Sequence, residues 1–200
     1  DRIFYFTTCG WMMWNWLVSA LAAEATIVLY DGAPMPAGRE SMLWDIAAEE
    51  RVNVFGASAK FLALSEKAAL APARTHDVPA LRVILSTGSP LAAHSFDYVA
   101  RDVKPGVMLA SISGGTDIIS CFALGNPLLP VHRGELQSFG LGMAVEVWTA
   151  DGERVVGEAG ELVCTAPFPA MPVAFWNAPT GEQYRKAYFS VFPGVWRHGD

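Results

Sequence analysis

The chain has 200 residues, 52% hydrophobic and 17% charged, and its 14 basic and 20 acidic side chains give a formal net charge of −6. An acidic balance with no basic run argues against a nucleic-acid partner, because affinity for a phosphate backbone is built from clustered Lys and Arg. Three widely spaced cysteines, Cys9, Cys121 and Cys164, show no CxxC or Cys/His pattern, which argues against a disulfide framework or structural zinc and fits a reducing cytoplasmic setting.

The length suits one large domain or two small ones. Residues 3–6 read as a strand and Thr7 to Gly10 as a loop. Trp11 to Ala23 reads as a buried helix, and Ala25 to Tyr30 as an interior strand stopped by Asp31-Gly32-Ala33-Pro34. The stretch Trp11 to Tyr30 is apolar enough to raise a membrane span. Asn15 and Glu24 interrupt it and its second part is β-type, so a buried helix followed by a strand is the better reading. No signal peptide is evident.

Ser41 is placed to cap a helix to about Glu50, with Leu43, Ile46 and Ala47 on one face. Asn53 to Gly56 reads as a short strand. Ser58 can cap a helix carrying Phe61, Leu64 and Ala68. After a polar link, Pro72 to Pro79, come a buried strand over Leu81 to Ser86 and the tight loop Thr87-Gly88-Ser89-Pro90. A helix from about Ala92 to Val103 ends at Lys104-Pro105-Gly106. The run Val107 to Ala110 is a further buried strand, and it leads into the loop Ser111-Ile112-Ser113-Gly114-Gly115-Thr116-Asp117.

Strands alternating with helices through residue 117 predict an α/β fold with a mainly parallel sheet layered with helices. After Ile118 the helical period disappears. Residues 118–167 predict a β-rich, barrel-like subdomain with a hairpin at Asp151-Gly152, and from Phe168 the chain reads as irregular and aromatic to residue 200.

Loops 87–90 and 113–117 follow successive parallel strands at their carboxyl ends, where open α/β sheets bind ligands. Glycine lets backbone amides approach a ligand. A threonine hydroxyl beside an aspartate suits a phosphate oxygen and a hard divalent cation. Gly-Gly-Thr-Asp read alone is better explained as a simple turn, and the second glycine loop is what brings a nucleotide reading level with it. The dinucleotide, Walker and nucleophile-elbow patterns are absent. His76, His94, His132 and His198 show no ligand spacing, Asp45, Glu49 and Glu50 read as a solvated helix face, and the aromatics between residues 175 and 196 read as packing.

Five stretches, in order and across nearly the whole chain, resemble the adenylate-forming superfamily of acyl-CoA synthetases, luciferases and peptide-synthetase adenylation domains. Phe6-Thr7-Thr8-Cys9-Gly10-Trp11 resembles the acyl-site segment, and Leu81 to Leu91 the adenine-side loop. Ser113-Gly114-Gly115-Thr116-Asp117 resembles the aromatic-x-x-Thr-Glu motif. Gly160-Glu161-Leu162-Val163 and Trp196-Arg197-His198-Gly199-Asp200 resemble the Gly-Glu-Leu and Trp-x-x-Thr-Gly-Asp motifs.

The resemblance implies ATP, Mg²⁺ and coenzyme A as reaction partners, with a carboxylic acid passing through an acyl-adenylate. It implies that Gly88, Ser89 and Pro90 line the adenine. Gly114, Gly115 and Thr116 would meet the phosphates, with Thr116 on the α-phosphate as the catalytic contact. Asp117 would help hold Mg²⁺, and Asp200 would accept from the ribose hydroxyls. Two departures bear on the acid. Gly114 stands where acetyl-CoA synthetases carry a pocket-shortening tryptophan, which implies a longer acyl pocket walled by Met12, Met13 and Trp14. Asp117 stands where Glu is usual, and His198 where Thr is usual.

The wording from Ser111 to Phe122, with Pro130-Val131-His132-Arg133-Gly134-Glu135-Leu136-Gln137, is most similar to the acetoacetate-activating branch. Synthetases for other short or medium acids (propionate, butyrate), a non-catalytic nucleotide-binding module and a structural domain with vestigial loops are the competing readings. The resemblance further implies a phosphate loop before residue 1 and a small C-terminal domain after residue 200. These 200 residues are therefore expected to be part of a longer protein and inactive alone.

Overall fold

A computed structural model describes residues 1–199, so the expectation placed on Asp200 lies outside the described residues. Among the described residues the chain forms three sheets. The first holds β1 (Arg2–Tyr5), β2 (Thr26–Val28), β3 (Val54–Ser58), β4 (Val83–Thr87) and β5 (Met108–Ser111), every pair parallel, in the order β2-β1-β3-β4-β5.

Helices connect these strands: α1 (Met12–Ser19), α2 (Met42–Glu49), α3 (Ala59–Lys67), α4 (Pro72–Thr75) and α5 (Ala93–Tyr98). Successive strand residues point to opposite faces, and the core divides accordingly. Phe4, Phe55 and Ile84 pack with Leu43 and Trp44 of α2, Phe61 and Leu62 of α3 and Val99. Trp44 stacks on Phe55 with centroids 4.6 Å apart. Tyr5 packs on the other face against Met12, Met13 and Leu17 of α1, with Leu85 and Ile112 beside them. Each such large side chain, fully buried, contributes about 1.5–3 kcal/mol. Apolar residues on both faces are why these strands read as continuous hydrophobic runs.

Several local expectations change. The strand expected inside the sheet over 25–30 is shorter and lies at its margin: β2 has β1 as its one partner strand and Leu29 is 61% exposed. Apolar composition alone does not order strands within a sheet. The helix expected to Ala23 ends at Ser19 and continues as a 3₁₀ turn, Ala20–Ala23, closed by Glu24 in the left-handed conformation (φ 56°). None of those four residues is buried, since three alanines offer little apolar surface to hold against a sheet. Ser58 caps α3 as expected, its Oγ accepting from the Phe61 N–H at 3.2 Å. Ser41 does not cap α2; its hydroxyl donates to Asp45 Oδ1 at 3.0 Å. The helix after residue 92 passes from α5 into a π-helical turn, Val99–Val103, and Lys104 Nζ then donates to the carbonyls of Val78, Pro79 and Leu81 at 2.8, 3.0 and 2.6 Å.

The segment expected as an open loop after β5 is paired. Ser113–Gly115 forms β6, antiparallel to β7 (Ser120–Leu124), with a register shift between Ser113 and Gly114, and β8 (Ser138–Phe139) completes that sheet. The third sheet is antiparallel, in the order β10-β9-β11-β12, from β9 (Val145–Trp148), β10 (Arg154–Val155), β11 (Glu161–Cys164) and β12 (Trp196–Arg197). Its first hairpin turns at Gly152 (φ +83°), which donates to the Thr149 carbonyl at 3.0 Å. The aromatic segment after Phe168 contains a helix, α6 (Glu182–Phe189). Ile118, Phe122, Cys164, Phe168, Tyr188 and Trp196 form a second core between α6 and the antiparallel sheets. Among the described residues no helix is long and apolar enough to cross a membrane.

Candidate functional site

One cavity of about 580 Å³ opens at the carboxyl ends of β4 and β5. Four segments wall it: Trp11 to Met13 at the start of α1, Thr87 to Leu91 after β4, Ser111 to Thr116 after β5, and Gly134 to Leu136, with Phe96 of α5 beside them. The volume falls within the roughly 300–1,000 Å³ of small-molecule sites.

The glycines here have separate reasons. Gly88 has φ +90°, a left-handed turn that a side chain would strain, and a Cβ there would touch the Trp11 ring at 3.7 Å. A Cβ on Gly114 would overlap the Ser120 carbonyl on β7 and lie 2.8 Å from the Cys121 Cα, so close strand pairing demands the glycine. A Cβ on Gly115 would occupy the place of Asp117 Oδ1 and come within 2.7 Å of the His198 ring.

Gly88, Ser89, Pro90, Gly114, Gly115, Thr116, Met12 and Met13 therefore share one cavity. Trp14 and Asp117 do not line it. Trp11, one helical turn before Trp14 and outside the helix, takes a place on the wall instead. Asp117 lies just behind Gly115. Its Oδ1 accepts from the Ile118 N–H at 3.1 Å and its Oδ2 from the Tyr188 hydroxyl at 2.7 Å. His198 Nδ1 is 4.0 Å from the same Oδ2, and the imidazole meets Phe122 edge-on at 4.7 Å. Burial, then the hydrogen bond to Asp117, pushes the Tyr188 phenol above its ordinary pKa.

Sequence reasoning assigned no place to Gly134-Glu135-Leu136. Two tertiary clasps carry that segment to the cavity. Gln137 accepts from the Asn126 N–H at 3.2 Å and donates to the Asn126 and Leu129 carbonyls at 3.1 and 3.0 Å. Arg133 Nε donates to both carboxylate oxygens of Asp97 on α5, and this hydrogen bond holds the Asp97 carboxyl below its ordinary pKa. The Pro130 to Gln137 wording was the available signal; it marked a family branch without giving a position.

Burial pushes the thiols of Cys121 and Cys164 up to about 11, so both stay protonated at neutral pH and neither suits nucleophilic chemistry. Among the described residues no group of three or more His, Cys, Asp or Glu could hold a metal ion. Mg²⁺ commonly binds one or two carboxylates plus substrate phosphates. Asp117, behind Gly115, offers one carboxylate, the kind of donor such a cation takes beside phosphate oxygens.

The chain is 60% identical to the acetoacetyl-coenzyme A synthetase of Rhizobium meliloti (strain 1021) over all of its length. The chain matches acetoacetyl-CoA synthetases from end to end. It is 54% identical to the Gallus gallus acetoacetyl-CoA synthetase, again over 100% of its residues. It spans 31% and 30% of the lengths of these two relatives. Among solved structures, the acetoacetyl-CoA synthetase from Streptomyces lividans superposes with a TM-score of 0.87 at 46% identity, covering 100% of this chain and 31% of that one. An anthranilate CoA ligase in complex with anthranoyl-AMP superposes with a TM-score of 0.80 at 20% identity, covering 100% and 36%, and shares the fold. No family model matches. The resemblance to adenylate-forming enzymes, and within them to acetoacetyl-CoA synthetase, thus holds across all 200 residues.

Proposed function

We propose that this chain supplies the nucleotide and acyl cleft of an AMP-forming acid–thiol ligase acting on acetoacetate. The net reaction is acetoacetate, ATP and coenzyme A to acetoacetyl-CoA, AMP and pyrophosphate. The observation that carries it is the meeting of Thr87 to Leu91 and Ser111 to Thr116 across one cavity, in a chain similar throughout to acetoacetyl-CoA synthetases.

In the first half-reaction an acid oxygen bonds to the α-phosphorus as the bond to the pyrophosphate oxygen breaks. In the second, the coenzyme A sulfur bonds to the acyl carbon and AMP leaves. Neither step needs a nucleophile from the protein. The protein's part is to hold two reactants in line and to stabilise phosphate charge. Gly88, Ser89 and Pro90 take the adenine side, and the Thr116 hydroxyl donates to an α-phosphate oxygen. Asp117 would hold Mg²⁺ brought with the nucleotide, and the ion would supply neutralisation of phosphate charge. Asp200 takes the ribose hydroxyls. Trp11, Met12, Met13, Phe96 and Leu136 give the cavity an apolar wall that limits water at the reactive acyl-adenylate. Its free thiols accord with a reducing cytoplasm.

The deciding experiment is pyrophosphate release by the full-length protein carrying this chain, with acetoacetate, butyrate and propionate compared. Preference for acetoacetate supports the proposal. A reversed preference would establish a synthetase for butyrate or propionate. ATP binding without pyrophosphate release from any acid would mark a non-catalytic nucleotide-binding module.

A further inference from the structure

The aromatic segment after Phe168 has no part in the reading above, yet α6 reaches the site through one side chain. Tyr188 comes from 71 residues beyond Asp117 and donates to its Oδ2 at 2.7 Å. The phenol ring is clamped. It stacks on Trp196 with centroids 3.6 Å apart and planes 13° apart, while Tyr184 and Phe175 meet it at 5.4 and 5.7 Å. Trp196 is 1% exposed and lies in β12, whose partner β11 is tied in turn to β9. The hydroxyl therefore has a position set by the whole second core. A donor to an ionised acceptor makes a short and directional bond.

The two carboxylate oxygens are not equivalent. With Oδ2 tied to Tyr188, Oδ1 accepts from the Ile118 N–H at 3.1 Å and stands where a Cβ on the cavity residue Gly115 would sit. Aspartate has one methylene fewer than the glutamate usual at this motif position, so its reach depends more on how it is aimed. We infer that Tyr188 is the positioning residue for the Asp117 carboxylate, holding one oxygen so that the other is presented at Gly115. This rests on the functional reading above, in which Asp117 meets the metal carried by ATP.

The test uses the full-length protein with Tyr188→Phe, which keeps the ring stack, Asp117→Asn, and the double variant. Calorimetry measures ATP binding with and without Mg²⁺, alongside kcat and KM for pyrophosphate release. Tyr188→Phe is expected to bind ATP alone as the wild type does, to lose about 10-fold in the Mg²⁺-dependent part of binding and in kcat, and to leave the KM for the acid within about 2-fold. The double variant should be no worse than Asp117→Asn, because both changes break one unit. The proposal is overturned by multiplying losses in the double variant, or by a wild-type Mg²⁺ response in Tyr188→Phe. If Tyr188→Phe does not fold, the wild-type protein decides the matter: adding Mg²⁺ to the ATP complex should perturb the tyrosine ultraviolet difference spectrum through the phenol bonded to Asp117, and an unchanged spectrum overturns the inference. Wild-type protein that releases no pyrophosphate removes the functional reading alone, since the binding cycle still decides the role of Tyr188.

Discussion

Arg133 Nε lies 2.9 Å from each carboxylate oxygen of Asp97, and this one guanidinium fastens the segment over the cavity to the helix that forms its side. Both side chains are about half exposed, 59% and 48%, so solvent screens the pair and it adds little to stability. Its effect belongs to the site. Arg133→Ala should melt within a few degrees of wild type, yet raise the KM for acid or ATP severalfold by releasing Gly134 to Leu136. Thermal melting beside steady-state kinetics checks this, and an unchanged KM would show the clasp to be idle.

Lys104 makes the opposite kind of contact. Its ammonium donates to three carbonyls; the Val78 carbonyl also accepts from the Leu81 N–H at 3.2 Å, so Pro79 and Leu81 depend most on the lysine. Lys104→Met keeps the aliphatic stem and abandons those acceptors. Partly buried groups left unsatisfied this way cost about 1–3 kcal/mol in all, and urea unfolding should show that loss with an unchanged m-value.

Gly114→Ala separates two accounts of that position. If the glycine served chiefly to lengthen the acyl pocket, a methyl group would change the ratio of activity on acetoacetate and butyrate. The structure puts the methyl into the Ser120 carbonyl instead. The expected result is a loss of about 1–3 kcal/mol in stability and an equal proportional fall in activity on both acids. A changed ratio with unchanged stability contradicts it.

Acid should unfold the protein in part through two carboxylates. The Arg197 guanidinium, bonded to both oxygens at 2.8 and 2.9 Å, holds Glu161 below its ordinary pKa. The hydrogen bond from His76, 2.8 Å away, does the same for Asp45. A folded pKa below the unfolded one gives stability that is present above the unfolded value and lost as pH falls through the folded value. Melting temperature should therefore hold down to about pH 4.3 and fall below it. Glu161→Gln should start lower at neutral pH and show a shallower acid limb; an identical limb would exclude this pair as a cause.

The parallel sheet was legible because each buried strand is an apolar run closed by turn residues, as at Asp31-Gly32 and Thr87-Gly88. Ser58 and Ser41 show where such reading stops. Both precede helices, but Asp45 is four residues on from Ser41 and takes its hydroxyl. The cavity's glycine segments could be read because each follows its strand directly. The resemblance implied Trp14 as the aromatic wall, but Trp11, which precedes the first helical residue, lines the cavity, whereas Trp14 lies within α1 and does not. The remaining contributors had no local signature. Arg133 meets its partner 36 residues away and Tyr188 meets its own 71 away, and spacing patterns carry no record of such meetings.

The order β2-β1-β3-β4-β5 sets a timetable for synthesis. Ile3, Phe4 and Tyr5 leave the ribosome before both of their partner strands, and one flank must wait for Val54, Phe55 and Gly56. At translation rates of about 5–20 residues per second that wait lasts seconds, far longer than the microseconds in which small chains collapse. For that interval a strand of large apolar side chains has one open edge. A nascent chain of this kind calls for chaperone cover until residue 58 emerges, and slowing translation between residues 30 and 54 should lower the soluble yield.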